Sequence, residues 1–292
     1  MPSGSREGRR AVREQLERRG LRATRTRGQN FLVEPRVAGA IADAAPVAVG
    51  DAVIEIGPGL GVLTRALASR ARRVVAIEID AGLVRALREE GELPANVELL
   101  HADALDVDLA ALATNLGAPV RVVANLPYAV STPLLRRLLD LRDLLEGWLV
   151  LVQREMALRL AARPGTRDYG SLAALHALTV RIERVRDLPP GCFFPAPKVV
   201  STLVRATPLD SALVAADELG RVERVLRAAF GTRRKTLANA LRHGLSPAPD
   251  VETLHAVLER LGIPAAARAE SLAPEALLAL ARALDDPARA VR

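Results

Sequence analysis

Ala52-Val53-Ile54-Glu55-Ile56-Gly57-Pro58-Gly59-Leu60-Gly61 is the stretch that decides the fold class. A short apolar run leads straight into three glycines, and residues 62 to about 69 then carry helical spacing. Strand, glycine turn and helix in succession open a doubly wound α/β sheet. Glycines at such a turn let a ligand approach the backbone at a helix amino terminus. The spacing is G-x-G-x-G, not the G-x-G-x-x-G of pyrophosphate-binding turns. Glu55 stands just ahead of the loop, and a carboxylate there suits a cationic ligand better than a diphosphate.

Working outward, the pattern repeats. A second strand over residues 73–79 carries Glu78 near its end, 21 residues past Gly57, where an acid accepts two ribose hydroxyls. A third, over 97–101, leads to Asp103, which can accept from an adenine amine at the same sheet edge. The fourth, Val120 to Ala124, runs into Asn125-Leu126-Pro127-Tyr128. In open α/β sheets the carboxyl ends of the strands are where ligands bind. Taken singly, each acid also fits a surface or capping role.

The chemistry that suits the 125–128 turn is methyl transfer to the exocyclic amine of a nucleobase. That amine is a poor nucleophile because its lone pair is delocalised into the ring. Acceptors holding its two hydrogens disfavour the planar form. The Asn125 side-chain oxygen is one acceptor, and a backbone carbonyl in a turn stiffened by Pro127 is a second. Tyr128 offers a flat face, and stacking contributes roughly 1–3 kcal/mol per base. A plain strand-to-helix turn with a core tyrosine fits the same four residues.

Farther on, residues 131–145 read as a helix, 148–152 as the fifth strand, 154–163 and 171–178 as helices and 180–187 as extended. A proline-stiffened loop, Pro189-Pro190-Gly191-Cys192-Phe193-Phe194-Pro195-Ala196-Pro197-Lys198, then offers Phe193 or Phe194 as a second wall for a base before the last strand, 199–205. Ahead of the glycine turn, Gly28-Gln29-Asn30-Phe31-Leu32 precedes a helix predicted over 35–45; Asn30 could cap or bind there, and Phe31 could pack or cover a ligand. After Pro208 the pattern turns helical, with an amphipathic segment from Leu213 to Phe230 and later breaks near Pro247, Pro264 and Pro274.

The charge is uneven. The chain of 292 residues carries a formal +7. Residues 1–30 hold nine arginines against Glu7, Glu14 and Glu17, and residues 221–243 hold six arginines and Lys235 against Glu223, which leaves the remainder mildly acidic. Two basic patches on an acidic body point to a polyanion, above all nucleic acid. Within the first patch, residues 1–27 show weak helical spacing at Val12, Leu16 and Leu21 but read as a flexible arm reaching phosphates. The seven aromatic residues are few, and five of them (Phe31, Tyr128, Phe193, Phe194 and Phe230) sit in turn-rich or basic stretches, as if reserved for something flat. One cysteine excludes an internal disulfide framework and fits a reducing cytosol. The four histidines lack metal-ligand spacing, and no apolar run approaches a membrane span.

Together these stretches resemble the small-subunit (16S) ribosomal RNA adenine dimethyltransferases of the kasugamycin-sensitivity type. The likeness rests on GQNFL at 28–32, EIGPGLGVLT at 55–64, IEID at 77–80, DA at 103–104, NLPY at 125–128, FFPAPKV at 193–199 and RRKTL at 233–237, in that order. It implies a class I S-adenosylmethionine-dependent methyltransferase sheet of seven strands with a helical domain after it. The divisions it implies are a basic tail at 1–27, a methyltransferase domain at 28–207 and a helical RNA-binding domain at 208–292. It further implies dimethylation of two adjacent adenosines in a hairpin near the 3′ end of small-subunit rRNA, on an immature 30S particle, by a cytoplasmic monomer. By motif, Asn30, Leu32, Gly57, Glu78, Asp103 and Asn125 would contact the cofactor. Asn125 would hold the target amine and Tyr128 stack on the base, with Leu126, Pro127 and Phe193 beside it. Arg233, Arg234 and Lys235 would touch RNA backbone. The family's usual Asn-Ile-Ser after NLPY is here Ala129-Val130-Ser131, Arg27 and Thr232 replace residues common before GQNF and RRKTL, and the Arg-rich start is atypical. The related large-subunit enzyme of macrolide resistance, and a non-catalytic assembly or transcription factor on the same fold, are the competing readings. The FFPAPKV and RRKTL segments favour the small-subunit type, and the intact glycine loop favours catalysis.

Overall fold

The computed structural model describes residues 6–23, 29–89, 91, 93–126 and 130–285. In chain order the elements are α1 (Arg6–Arg18), β1 (Phe31–Leu32), α2 (Pro35–Ala44), β2 (Ala52–Ile56), α3 (Val62–Ala68), β3 (Arg73–Glu78), α4 (Ala81–Glu89), β4 (Val97–His101), α5 (Leu109–Asn115), β5 (Val120–Asn125), α6 (Ser131–Asp140), β6 (Leu145–Gln153), α7 (Arg154–Leu160), α8 (Ser171–Ala177), β7 (Val180–Leu188), β8 (Phe193–Phe194), β9 (Ser201–Pro208), α9 (Leu219–Phe230), α10 (Leu237–Gly244), α11 (Val251–Arg260) and α12 (Pro274–Asp285).

Seven strands form one sheet in the order β4-β3-β2-β5-β6-β9-β7. The pairs β2–β3, β2–β5, β3–β4 and β5–β6 are parallel, and β6–β9 is antiparallel. All five residues of β2 are buried, as a central parallel strand covered on both faces requires. At the sheet's edge, β4 is only partly buried. The main core lies between the sheet and α2 and α3, where Ile41, Leu63, Leu67, Val53, Val74 and Leu149 meet. Local chemistry sets several ends: Pro35 opens α2 at a position with no donor to lose, and Asp108 caps α5 by accepting from the Ala111 amide at 2.9 Å.

The chain divides into two compact units, residues 1–157 with 183–208, and 158–182 with 209–292. Residues 158–182 thus group with the C-terminal helices rather than with the sheet that brackets them in sequence. Within that second unit, α9 packs against α8, α10 and α12. Phe230 meets Tyr169 edge to face, with ring centroids 5.4 Å apart, and the Tyr169 hydroxyl donates to Leu272 O at 3.2 Å. Phe230 is therefore part of a packing contact, not an aromatic kept for a ligand.

Several boundaries differ from the sequence reading, three of them substantially. The helix predicted over 131–145 stops at Asp140, and residues 142–144 make one tight turn before β6 begins. The α9 helix starts at Leu219, not Leu213, because the backbone ahead of it is committed elsewhere: the amides of Leu209 and Leu213 donate to the carbonyls of Thr179 and Leu178. The arm expected over 1–27 is, through residues 6–18, a helix. Val12 and Leu16 are buried in it, in a cluster with Phe31, Val33, Leu60 and Leu83. Two apolar residues four apart are enough to dock a short helix on a waiting apolar surface. Leu21 extends the contact to α4, where any side chain at Gly82 would meet Leu21 Cδ2 at 2.7 Å.

Gly147 sits where β6 has no room for a side chain. Its φ is +146°, and a Cβ there would stand 2.6 Å from the Ala206 carbonyl oxygen of the partner strand β9. Replacing Gly147 with Ala should lower unfolding stability by about 2 kcal/mol or more, read as a lower urea midpoint with an unchanged slope.

Candidate active site

The parallel strands deliver their loops to one rim. Just past the ends of the strands, main-chain bonds tie each loop to the neighbouring strand: Gly57 N to Ile77 O at 2.9 Å, Ala102 N to Glu78 O at 3.0 Å, and Leu126 N to Leu151 O at 3.2 Å. The rim encloses a cavity of about 320 Å³, within the ~300–1,000 Å³ of small-molecule sites. Of the residues singled out from sequence, Asn30, Leu32, Gly57, Glu78, Asp103, Asn125, Leu126 and Phe193 all line it.

Gly57, Gly59 and Gly61 have φ of +74°, +59° and +75°, a region that favours glycine. At Gly59 space adds a second constraint, since a Cβ would lie 3.0 Å from the Phe31 ring. Glu78 is 6 % exposed. One of its carboxylate oxygens accepts from Gly59 N at 3.2 Å and the other from Asp80 N at 2.9 Å. Burial raises its pKa, and these two backbone donors hold it back. Each oxygen keeps a lone pair for a further donor, so the carboxylate both shapes the glycine loop and faces the cavity. Asp103 accepts from Leu105 N at 2.8 Å. Arg137, on α6, braces this loop by donating to Ala104 O at 2.7 Å and to Val107 O.

Asn125 is the last residue of β5. Its amide nitrogen donates to Asn30 O at 2.9 Å, across 95 residues of sequence. That bond fixes the amide plane and leaves the side-chain oxygen as the group Asn125 offers to the cavity. Segment 29–32 is itself held by pairing: Phe31 stands opposite Phe194, and Leu32 opposite Phe193. Phe193 is 1 % exposed and serves the core and the cavity wall together, whereas Phe194 lies under Arg13.

Glu55 corrects the sequence reading. It is fully buried and is absent from the cavity wall, so it is not the partner of a cationic ligand. Burial pushes its pKa up to about 8; Thr64 favours the charged form, yet neither carboxylate oxygen has a full hydrogen bond among the described residues. Of the remaining expected site residues, Pro127 and Tyr128 lie outside the described residues. Arg233, Arg234 and Lys235 are exposed in the turn before α10, in the helical unit, where Arg233 donates to Arg167 O at 2.6 Å. Sequence reasoning missed Ser201 and Ile79, which also line the cavity. Ser201 opens an antiparallel strand and carries no local signal. Ile79 is 56 % exposed at a strand end, and that exposure appears only in three dimensions.

A glycine loop, a buried acid after the second central strand and an acid after the third define the site of a class I S-adenosylmethionine-dependent methyltransferase. The residues present fit that methyl donor: an open turn for its amino-acid end, the Glu78 carboxylate for ribose hydroxyls, and Asp103 with exposed Ile79 for a purine. Comparison with known proteins carries this to a family. The ribosomal RNA adenine dimethylase family matches residues 20–286, and the chain belongs to it. A ribosomal RNA small subunit methyltransferase A of Magnetococcus marinus is 44 % identical over 257 residues, 88 % of this chain and 90 % of its own. The protein of the same name from Rhodospirillum rubrum is 44 % identical over 276 residues, 94 % of this chain and 92 % of its own. Among solved structures, a dimethyladenosine transferase from Plasmodium falciparum superposes with a TM-score of 0.72 at 26 % identity, covering 88 % of this chain and 98 % of its own. The 23S rRNA methyltransferase ErmE does so with 0.64 at 28 % identity, covering 88 % of this chain and 100 % of its own.

The buried Glu55 predicts a pH dependence. Its folded pKa is above its ordinary 4.5, so the folded state keeps a proton that the unfolded chain gives up. Its contribution is complete below about pH 4.5 and is lost as pH rises toward about 8, at up to ~1.4 kcal/mol per unit. Thermal melts across that window should show a shallower fall for Glu55→Gln than for the parent chain.

Proposed function

We propose that this chain places two methyl groups on the exocyclic amine of each of two adjacent adenosines in a hairpin near the 3′ end of small-subunit rRNA. It acts as a monomer in the cytoplasm on an immature 30S particle, with the helical unit, Arg233, Arg234 and Lys235 included, against RNA backbone. The names of the bacterial relatives support the small-subunit substrate. Among the described residues, no helix is long and apolar enough to cross a membrane.

The observation that carries the reading is the Asn125 amide, fixed by Asn30 O on the rim that also holds Gly57, Glu78 and Asp103. Bound S-adenosylmethionine supplies a methyl group on a positively charged sulfur, an electrophile that needs no activation. The chain's own residues have three tasks. Asn30, Leu32, Gly57, Glu78 and Asp103 hold the donor, with Glu78 accepting from its ribose and Ile79 covering its purine face. The Asn125 side-chain oxygen and a main-chain carbonyl of the 125–128 turn accept the two hydrogens of the target amine, localising its lone pair. Tyr128, with Phe193 and Leu126 as walls, receives an adenine swung out of its stack. No strong base is required, because positioning supplies most of the rate and the proton can leave to water afterwards.

Asn125→Ala should cut the methylation rate roughly 100-fold or more, the scale for losing one preorganised hydrogen-bond partner of a reacting group. Mass spectrometry of dimethyladenosine in small-subunit rRNA, with purified protein, reads this out; full methylation by the variant would end the assignment. Glu78→Ala removes two acceptors to the donor's ribose and should weaken S-adenosylmethionine binding roughly 10- to 100-fold in calorimetry. An unchanged affinity would remove Glu78 from the ribose role. Assaying 16S and 23S rRNA side by side separates the small-subunit reading from the large-subunit one.

A further inference from the structure

We infer that α1 and the loop after β8 form a second RNA-contact surface, a phosphate-binding groove for RNA next to the target adenosine. The inference rests on the ribosomal RNA reading above. Arg6, Arg9, Arg10 and Arg13 recur at spacings of three and four, which gathers them on one helix face. Together with Phe194, Pro195 and Ala196 they line an open groove of about 450 Å³ with no carboxylate among its described lining residues.

The groove is built rather than incidental. The Arg13 guanidinium carbon lies 5.4 Å from the Phe194 ring centroid, and Arg9 donates to Gly191 O at 3.1 Å. Arg10 pairs with Glu14 of its own helix, at 2.7 Å and in solvent, and an exposed pair of that kind contributes little and is readily exchanged. Lys198, exposed, follows in the same loop. Clustered guanidiniums repel one another, and Val12 and Leu16 already supply α1 with an apolar anchor, so Arg6 and Arg10 in particular are not explained by its docking. Planar guanidinium forks match phosphate oxygens, and an arginine over a phenylalanine ring makes a platform on which an unpaired base can stack.

Position ties the groove to the chemistry. Phe31 and Leu60, against which α1 is buried, are also walls of the cofactor cavity. Phe194, the groove's floor, pairs with Phe31 across β1 and β8. RNA lying in the groove would therefore run along the outside of the wall whose inner face lines the cofactor cavity.

The test uses the full-length chain, a hairpin RNA with the 3′-terminal sequence of small-subunit rRNA, and the variant Arg6→Gln/Arg10→Gln/Arg13→Gln. Binding to the hairpin is followed by fluorescence anisotropy over a salt series, and methylation of immature 30S particles by steady-state kinetics. The variant should keep its melting temperature and its S-adenosylmethionine affinity. Its plot of log K against log salt should flatten by about 2 to 3, roughly 0.7–0.9 for each phosphate that is no longer neutralised. KM for the 30S particle should rise while kcat stays the same. A salt slope and KM equal to the parent's would overturn the inference and leave the function standing. If the triple variant is less stable, Arg6→Gln/Arg10→Gln decides the matter, because neither side chain stacks on Phe194 or bonds Gly191. A parent protein that neither binds the hairpin nor methylates immature 30S particles would overturn the ribosomal RNA reading, and the groove with it.

Discussion

Parallel pairing through the middle of the sheet is the constraint on which the site depends. Ile56 of β2 is in register with Ile77 of β3 on one side and Ala124 of β5 on the other. β2 ends there and β3 and β5 one residue later, so the glycine loop, Glu78 and Asn125 emerge side by side. A slip of one residue would turn every side chain of a strand to the opposite face. Such a slip is resisted because β2 and β3 are buried along nearly their whole length. Core packing and site geometry are thus the same fact seen from two ends of the strands.

Two glutamates on neighbouring strands show how place decides chemistry. Glu55 and Glu78 are both almost completely buried. Glu78 has reached the rim, where the amides of Gly59 and Asp80 support its charge. Glu55 stops one residue short of the loop, finds no full hydrogen bond, and is driven toward its neutral form by burial. The first carboxylate is equipped to accept from a ligand; the second belongs to the interior.

The antiparallel pair of two-residue strands, β1 and β8, does more than its length suggests. It brings the 29–32 segment and the 193–194 segment together from opposite ends of the first unit. Through it Asn30 reaches Asn125, Phe193 closes the cavity, and Phe31 meets both the glycine loop and α1. The scarce aromatic residues are shared between packing and the site, and Phe193 does both.

Much of this was legible from sequence because it is local. A strand followed by glycines, acids at successive strand ends and prolines at helix starts act through neighbours in the chain, and the 52–61 and 73–80 stretches alone implied a doubly wound sheet with a ligand at its carboxyl edge. What remained hidden is long-range. The Asn125–Asn30 bond, Ser201 in the cavity wall, the grouping of residues 158–182 with the C-terminal helices, and the docking of α1 all join segments far apart in sequence. Composition made residues 6–18 look like a solvated basic arm, since their arginines outnumber their apolar residues. Only the folded chain supplies the apolar surface of Phe31, Leu60 and Leu83 that turns Val12 and Leu16 into an anchor. Likewise the sequence placed Glu55 beside the glycine loop, but only the folded sheet, covered on both faces, shows that its side chain ends in the core and not at the ligand rim.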